Sequence, residues 1–258
     1  MLDNLPHLSC DEENTIFRLE LEHHTIKVCE NDAYRWLTLG GDCIQSLISL
    51  SDPYQVLLPY TQSMLLALAF TQKPRRLLNL GSGCGTFERF LLQNYPDISV
   101  TSVELDADII KISKQFFHTP SEHPVLNESA DDFLETNKNK YDIIFCDIHD
   151  GEQHPDYLYD EEFYNKIFNT LNENSVFVIN LIPGQEKDFL KYLLSVRKVF
   201  RWQHLLEFDN YGNVLIYMHT QKPQPIYSND VKIAKLKKRM NVDLTDTIKR
   251  LTLLPVAI

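Results

Sequence analysis

The feature that most constrains this chain is the run Leu77-Leu78-Asn79-Leu80-Gly81-Ser82-Gly83-Cys84-Gly85-Thr86, in which an apolar, strand-forming stretch passes into G-x-G-x-G and then into a helical pattern. Glycines at these positions let the turn take positive φ and let backbone N–H groups approach a ligand closely. Open α/β sheets bind nucleotides at such a loop, at the C-terminal end of a strand. Glu104 follows about 20 residues on, near the end of the next strand, where a carboxylate can accept both hydroxyls of a ribose. Loop and acid together mark a site for an adenosine-bearing cofactor. G-x-G-x-G followed by Glu104-Leu105-Asp106 leans toward S-adenosylmethionine rather than a nicotinamide dinucleotide.

From Arg75 onward, β-rich runs alternate with amphipathic ones, which is the pattern of an α/β fold with a Rossmann-like, mostly parallel sheet. Strands are expected at residues 77–80, 100–104, 141–147 and 176–181, with helices at 87–94, 107–117, 161–171 and 186–199. Two late runs, 205–208 and 214–218, flank Asp209-Asn210-Tyr211-Gly212-Asn213 as an antiparallel hairpin at one sheet edge. Upstream, residues 25–29, 34–39 and 44–50 read as short strands, and residues 60–70 as a buried helix. The expected organisation is an N-terminal β module over residues 1–57, an α/β domain over 58–220 and a helical C-terminal tail over 221–258.

Charge narrows the partners. Lysine and arginine number 25 against 36 acids, a net charge of −11, which opposes broad binding to nucleic acid or anionic lipid. The basic run from Lys232 to Arg239 reads as one face of a surface helix, and Asp52-Pro53-Tyr54 lies before the glycine loop, misplaced for a base-methylating motif. The longest apolar run, residues 64–70, is far short of the roughly 20 needed to cross a bilayer. The N-terminal residues carry acids where a signal peptide needs bases, so a cytoplasmic location is expected. Five cysteines without a C-x-x-C pair suggest that most are reduced thiols and that there is no disulfide framework.

The second chemical signal is Tyr141 to Gly151, a strand ending in Asp147 and Asp150. Carboxylates there face the same sheet edge as the glycine loop and can orient and deprotonate an amine before it attacks a sulfonium-bound carbon. Asp147, His149, Asp150 and His154 also permit metal ligation by spacing, but nothing else in the chain calls for a metal, and none is expected.

From about Ile26 to Met218 the chain resembles the spermidine synthase family, the polyamine aminopropyltransferases and their relatives with the class I methyltransferase fold. The resemblance rests on Gln45-Ser46, on Tyr60, Gln62 and Met64, on the glycine loop, on Val103-Glu104-Leu105-Asp106, and on DIHDGEQHPDYLYDEEFY from Asp147 to Tyr164. It implies that Glu104 holds the cofactor ribose, with Gln45, Gly81, Ser82, Gly83, Cys84, Gly85, Leu105 and Asp131 around the cofactor. It further implies Asp147 as catalytic carboxylate, Asp150 as support for the amine, Tyr60, Gln62 and Tyr157 as substrate contacts, and a homodimer.

Departures from the family pattern are local. Cys84 stands where the family loop has an aspartate for the donor's amino group, Thr61 where it has a tyrosine, and Glu128-Ser129-Ala130 where it has G-D-A or G-D-G. The expected function is a spermidine-synthase-like transferase that uses S-adenosylmethionine or its decarboxylated form and moves a methyl or aminopropyl group to a small-molecule acceptor. A working polyamine synthase and a silent cofactor-binding protein are the alternatives.

Overall fold

The computed structural model describes residues 8–22, 24–41, 43–149, 154–208 and 212–256. A four-stranded antiparallel sheet opens the chain, in the order β1 (Thr15–Glu20), β2 (Thr25–Glu30), β3 (Tyr34–Leu39) and β4 (Ile44–Ser49). In β2, period-2 patterning puts Ile26 and Val28 on one buried face, while Cys29 is buried on the other beside Trp36 and Leu47. The face of Ile26 and Val28 packs, with Leu37 and Ile48, against Cys84 of the glycine loop and against Ile109, Ile112 and Phe117. The small sheet is therefore a roof over the loop.

Eight strands form the second sheet, in the order β12 (Thr252–Leu253), β10 (Trp202–Glu207), β11 (Val214–His219), β9 (Leu171–Leu181), β8 (Tyr141–Cys146), β5 (Arg76–Leu80), β6 (Ser99–Glu104) and β7 (Val125–Asn127). The five from β9 to β7 run parallel, and β11 lies antiparallel between β9 and β10. Alternate residues of the same strands feed two cores. Leu77, Ile143, Phe145, Val176, Val178, Leu215 and Tyr217 face α1 (Pro59–Met64), α2 (Ala67–Phe70), α3 (Thr86–Asn94) and α8 (Val231–Met240). Leu78, Leu80, Ile144, Phe177, Ile179 and Ile216 face α5 (Ala130–Thr136), α6 (Glu161–Thr170) and α7 (Glu186–Val199). A sheet buried on both faces explains the near-continuous apolar strands. α4 (Ala107–Phe116) begins at Asp106, whose side chain accepts from the Asp108 and Ile109 amides at 2.7 and 3.3 Å. α9 (Thr245–Arg250) precedes β12.

Four details differ from the expected elements. The helix expected over residues 60–70 is broken into α1 and α2, because the Ser63 carbonyl accepts a tight-turn bond from Leu66 N–H and a second bond from the buried Tyr217 hydroxyl at 2.7 Å. β9 starts five residues earlier than expected, and β1, β7, α5 and β12 are additional. Cys10 and Cys29 are joined in a disulfide that ties the segment before β1 to β2, a pairing not expected from sequence, while Cys43, Cys84 and Cys146 are free thiols, as expected of most of the five. In the 205–214 hairpin, Asp209, Asn210 and Tyr211 lie outside the described residues.

At the hairpin end of the large sheet, His204 Nδ1 and His219 Nε2 share a hydrogen bond of 2.9 Å, with Phe70 packed against both rings, tilted to the first and edge-on to the second. Burial pushes their pKa values down to about 4 and about 3, with His204 adding to the effect on His219. In the unfolded chain both titrate near 6.5. Both are neutral in either state at high pH, so their stability contribution is intact above about 6.5 and is lost as pH falls toward the folded values. Urea unfolding is expected to show the loss of about 1.4 kcal/mol per pH unit for each histidine in this window. His219→Phe keeps a ring against Phe70 and should have a shallower acid dependence; an unchanged dependence would contradict the assignment.

Candidate functional site

The loop between β5 and α3 is built on backbone geometry only glycine accepts easily. Gly81 has φ +82°, and a Cβ there would overlap the Asp147 carbonyl; Gly85 has φ +73°, and a Cβ there would overlap Thr119. Gly81 and Ser82 donate to the Val103 carbonyl, each at 3.0 Å, while Asp147 N–H donates to the Leu80 carbonyl at 3.0 Å. The ends of β6, β5 and β8 are thus laced together, and Glu104 and Asp147 flank the loop.

Glu104 is fixed by two backbone donors, Gly83 N–H to Oε2 at 2.9 Å and Asp106 N–H to Oε1 at 3.1 Å. Each carboxylate oxygen retains a lone pair for another donor. Burial raises the Glu104 pKa, against the opposing pull of these amides. Asp147 receives Asn180 Nδ2 on Oδ1 at 2.8 Å, and Asn180 Oδ1 in turn receives Asn213 Nδ2 at 3.0 Å. His149 Nε2 lies 3.4 Å from the same Asp147 oxygen.

A cavity of about 660 Å³ opens between the roof sheet and the C-terminal ends of β5, β6 and β8. Its walls include Gln45, Gly81, Ser82, Gly83, Cys84, Glu104, Leu105, Tyr60, Tyr157 and Asp147, so these expected site residues come together. Four carboxylates line it, Glu104, Asp106, Glu128 and Asp147, and among the described residues no lysine or arginine does. Cys84 is buried at the roof contact, and desolvation pushes its thiol up to about 12, so it is a neutral packing group there.

Three expected contacts are placed elsewhere. Gln62 turns its amide to the Val56 and Leu57 carbonyls at 2.8 and 3.3 Å, bracing the segment before α1 rather than lining the cavity. Asp131 faces away and pairs with Lys166 of α6 at 2.9 Å; its neighbours Glu128, Ser129 and Ala130 form the cavity wall instead. Gly85 is not on the wall, its space being taken by Thr119. Asp150 lies outside the described residues. Among those described, no cluster of three candidate metal ligands occurs, and His154 spends both ring nitrogens on Ile148 O and Ile182 N–H.

Asn180 and Asn213 were missed from sequence. Asn180 carried a usable signal, since it is the polar residue in an otherwise apolar strand end, Val176 to Leu181, and buried polar groups need partners.

Comparison with known proteins agrees with this architecture. A polyamine aminopropyltransferase of Neisseria meningitidis serogroup A is 29% identical over 219 residues, covering 83% of this chain and 81% of the relative. A polyamine aminopropyltransferase of Chromobacterium violaceum is 28% identical over 202 residues, covering 77% of each. The crystal structure of a probable spermidine synthase from Corynebacterium glutamicum superposes with a TM-score of 0.70 at 18% identity, over 92% of this chain and 89% of that one, and so shares the fold. The spermine/spermidine synthase domain matches residues 59–206, which carry the glycine loop, Glu104 and Asp147. The chain belongs to the spermine/spermidine synthase domain family.

Proposed function

We propose that the protein transfers an aminopropyl group from decarboxylated S-adenosylmethionine to a small amine, the first of the two alternatives open from sequence. The observation that carries it is the charge of the cavity wall: four carboxylates and, among the described residues, no lysine or arginine. Such a cavity suits a donor whose sulfonium and terminal ammonium are both cationic, and an acceptor that is itself a cation. S-adenosylmethionine adds a carboxylate that finds no basic partner there. One like-charge pair near 4 Å costs roughly 4 kcal/mol at an effective dielectric of about 20. Cys84 offers no counter-charge, and Asp106 and Asp147 are the carboxylates on the wall that can take the donor's ammonium. The relatives' names, polyamine aminopropyltransferase, support the same chemistry.

The residues divide the work as follows. Glu104 accepts the ribose hydroxyls, with Gly81 and Gly83 letting the backbone come close, and Glu128 to Ala130 bound the far end where the base would lie. Asp147, held by Asn180, accepts an N–H of the attacking amine and so orients its nitrogen toward the donor carbon. Tyr60 and Tyr157 bound the acceptor side. A small diamine acceptor, a homodimer and a cytoplasmic location accompany this reading.

Binding and turnover separate the two carboxylates. Two charge-assisted bonds to the ribose are worth about 1.5–3 kcal/mol each, so Glu104→Ala should weaken methylthioadenosine binding by at least about tenfold in calorimetry. Because burial raises the Glu104 pKa, parental affinity should fall on acidification at a higher pH than for an exposed carboxylate, as the acceptor form is lost. Asp147→Asn should retain that affinity while methylthioadenosine release from the decarboxylated donor and 1,4-diaminobutane slows by about 10²–10⁴. Full turnover by Asp147→Asn, or parental affinity in folded Glu104→Ala, would refute the assignments.

A further inference from the structure

We propose that His149 is the group that takes the proton from the acceptor amine, with Asp147 beside it stabilising the imidazolium so formed. This rests on the aminopropyl-transfer reading and deepens it. His149 and Asp147 both line the cavity, and their side chains are only 16% and 21% exposed. His149 Nε2 is buried, 3.4 Å from Asp147 Oδ1, and makes no hydrogen bond among the described residues. A buried ring nitrogen left without a partner is costly unless a ligand supplies one.

Of the two histidines that follow β8, the surroundings leave His149 with a ring nitrogen available for this work. Asp147 is held by Asn180, which bonds the same Oδ1 that faces His149, and through Asn180 by Asn213, so the carboxylate has an anchor besides His149. His154 packs its ring 4.6 Å from that of His149, centroid to centroid. Its Nδ1–H donates to Ile148 O at 3.0 Å and its Nε2 accepts from Ile182 N–H at 2.9 Å, which fixes one neutral tautomer. Burial carries the His154 pKa down to about 4, so His154 is an uncharged wall for His149 rather than a second base.

The chemistry asks for such a base. An alkylammonium, with a pKa near 10.4, cannot attack carbon until it loses a proton, and a carboxylate near 4 is a mismatched acceptor by about six units against about four for an imidazole. In the step, an ammonium N–H bond breaks and its proton passes to His149 Nε2. The nitrogen lone pair then forms the bond to the methylene carbon, the carbon–sulfur bond breaks with its electron pair going to sulfur, and the sulfonium becomes a neutral thioether. The product keeps a secondary ammonium, and His149 returns one proton to solvent.

Methylthioadenosine release from decarboxylated S-adenosylmethionine and 1,4-diaminobutane tests this in the parent, His149→Ala and His149→Gln, with and without added imidazole. Methylthioadenosine affinity serves as the check on folding. Both variants are expected to lose at least about 10²-fold in kcat, with amine KM little changed, and imidazole should restore His149→Ala by tenfold or more. Near-parental kcat in either variant, or loss without rescue in a His149→Ala protein that still binds methylthioadenosine, overturns the role of His149 and leaves aminopropyl transfer standing. If His149→Ala fails the folding check, His149→Gln decides: a defect in KM alone overturns the proposal. A parent that turns over no amine removes the aminopropyl reading itself, and this proposal with it.

Discussion

The site depends on the close approach of two strand ends at Gly81. With no side chain at that residue, the glycine loop can lie against the Asp147 carbonyl while donating to the Val103 carbonyl of β6. The contact does more than close a turn. It sets the loop between Glu104 on one neighbouring strand and Asp147 after the other, and the Gly83 amide then locks Glu104 in place. Any Cβ at Gly81 must separate the loop from Asp147 and so disturb both carboxylates together.

The roof sheet completes the enclosure. Its apolar face covers Cys84 and α4, so the same packing that stabilises the N-terminal strands also shapes the upper wall of the cavity. Disulfide bonding of Cys10 to Cys29 ties the leading segment to this sheet. The four wall carboxylates lie at or just after the C-terminal ends of the parallel strands, where α/β sheets place their ligands. Partial burial strengthens each of these charges relative to a surface acid, because less water screens them.

Sequence made the local features legible. The passage from Leu80 into Gly81, the position of Glu104 after the next strand and the aspartate at the end of 141–147 each announce themselves within about ten residues, because strand period and turn chemistry are local properties. Two of the misplaced features trace to distant partners, and Gln62 to a local one. Asp131 turns to Lys166, 35 residues on, and the helix over 60–70 breaks where Tyr217, 154 residues away, claims the Ser63 carbonyl. Gln62 is spent on the carbonyls of Val56 and Leu57, a bond that periodicity cannot register. Asn180 was readable as a polar interruption in a buried strand, but its link to Asp147 and Asn213 required the sheet order. Cys84, standing where the family loop has an aspartate, leaves the choice of donor open when the loop is read alone; the proposed preference for the decarboxylated form rests on the carboxylates of the whole cavity wall.

The central claim is that the wall's negative charge selects a donor lacking a carboxylate. Calorimetric titration of the parent protein with S-adenosylmethionine and with its decarboxylated form, under identical buffer and salt, tests it most directly. Tighter binding of the decarboxylated form by at least about tenfold, a difference of about 1.4 kcal/mol, is the expected result. Equal or tighter binding of S-adenosylmethionine would contradict the account and restore methyl transfer as the leading chemistry.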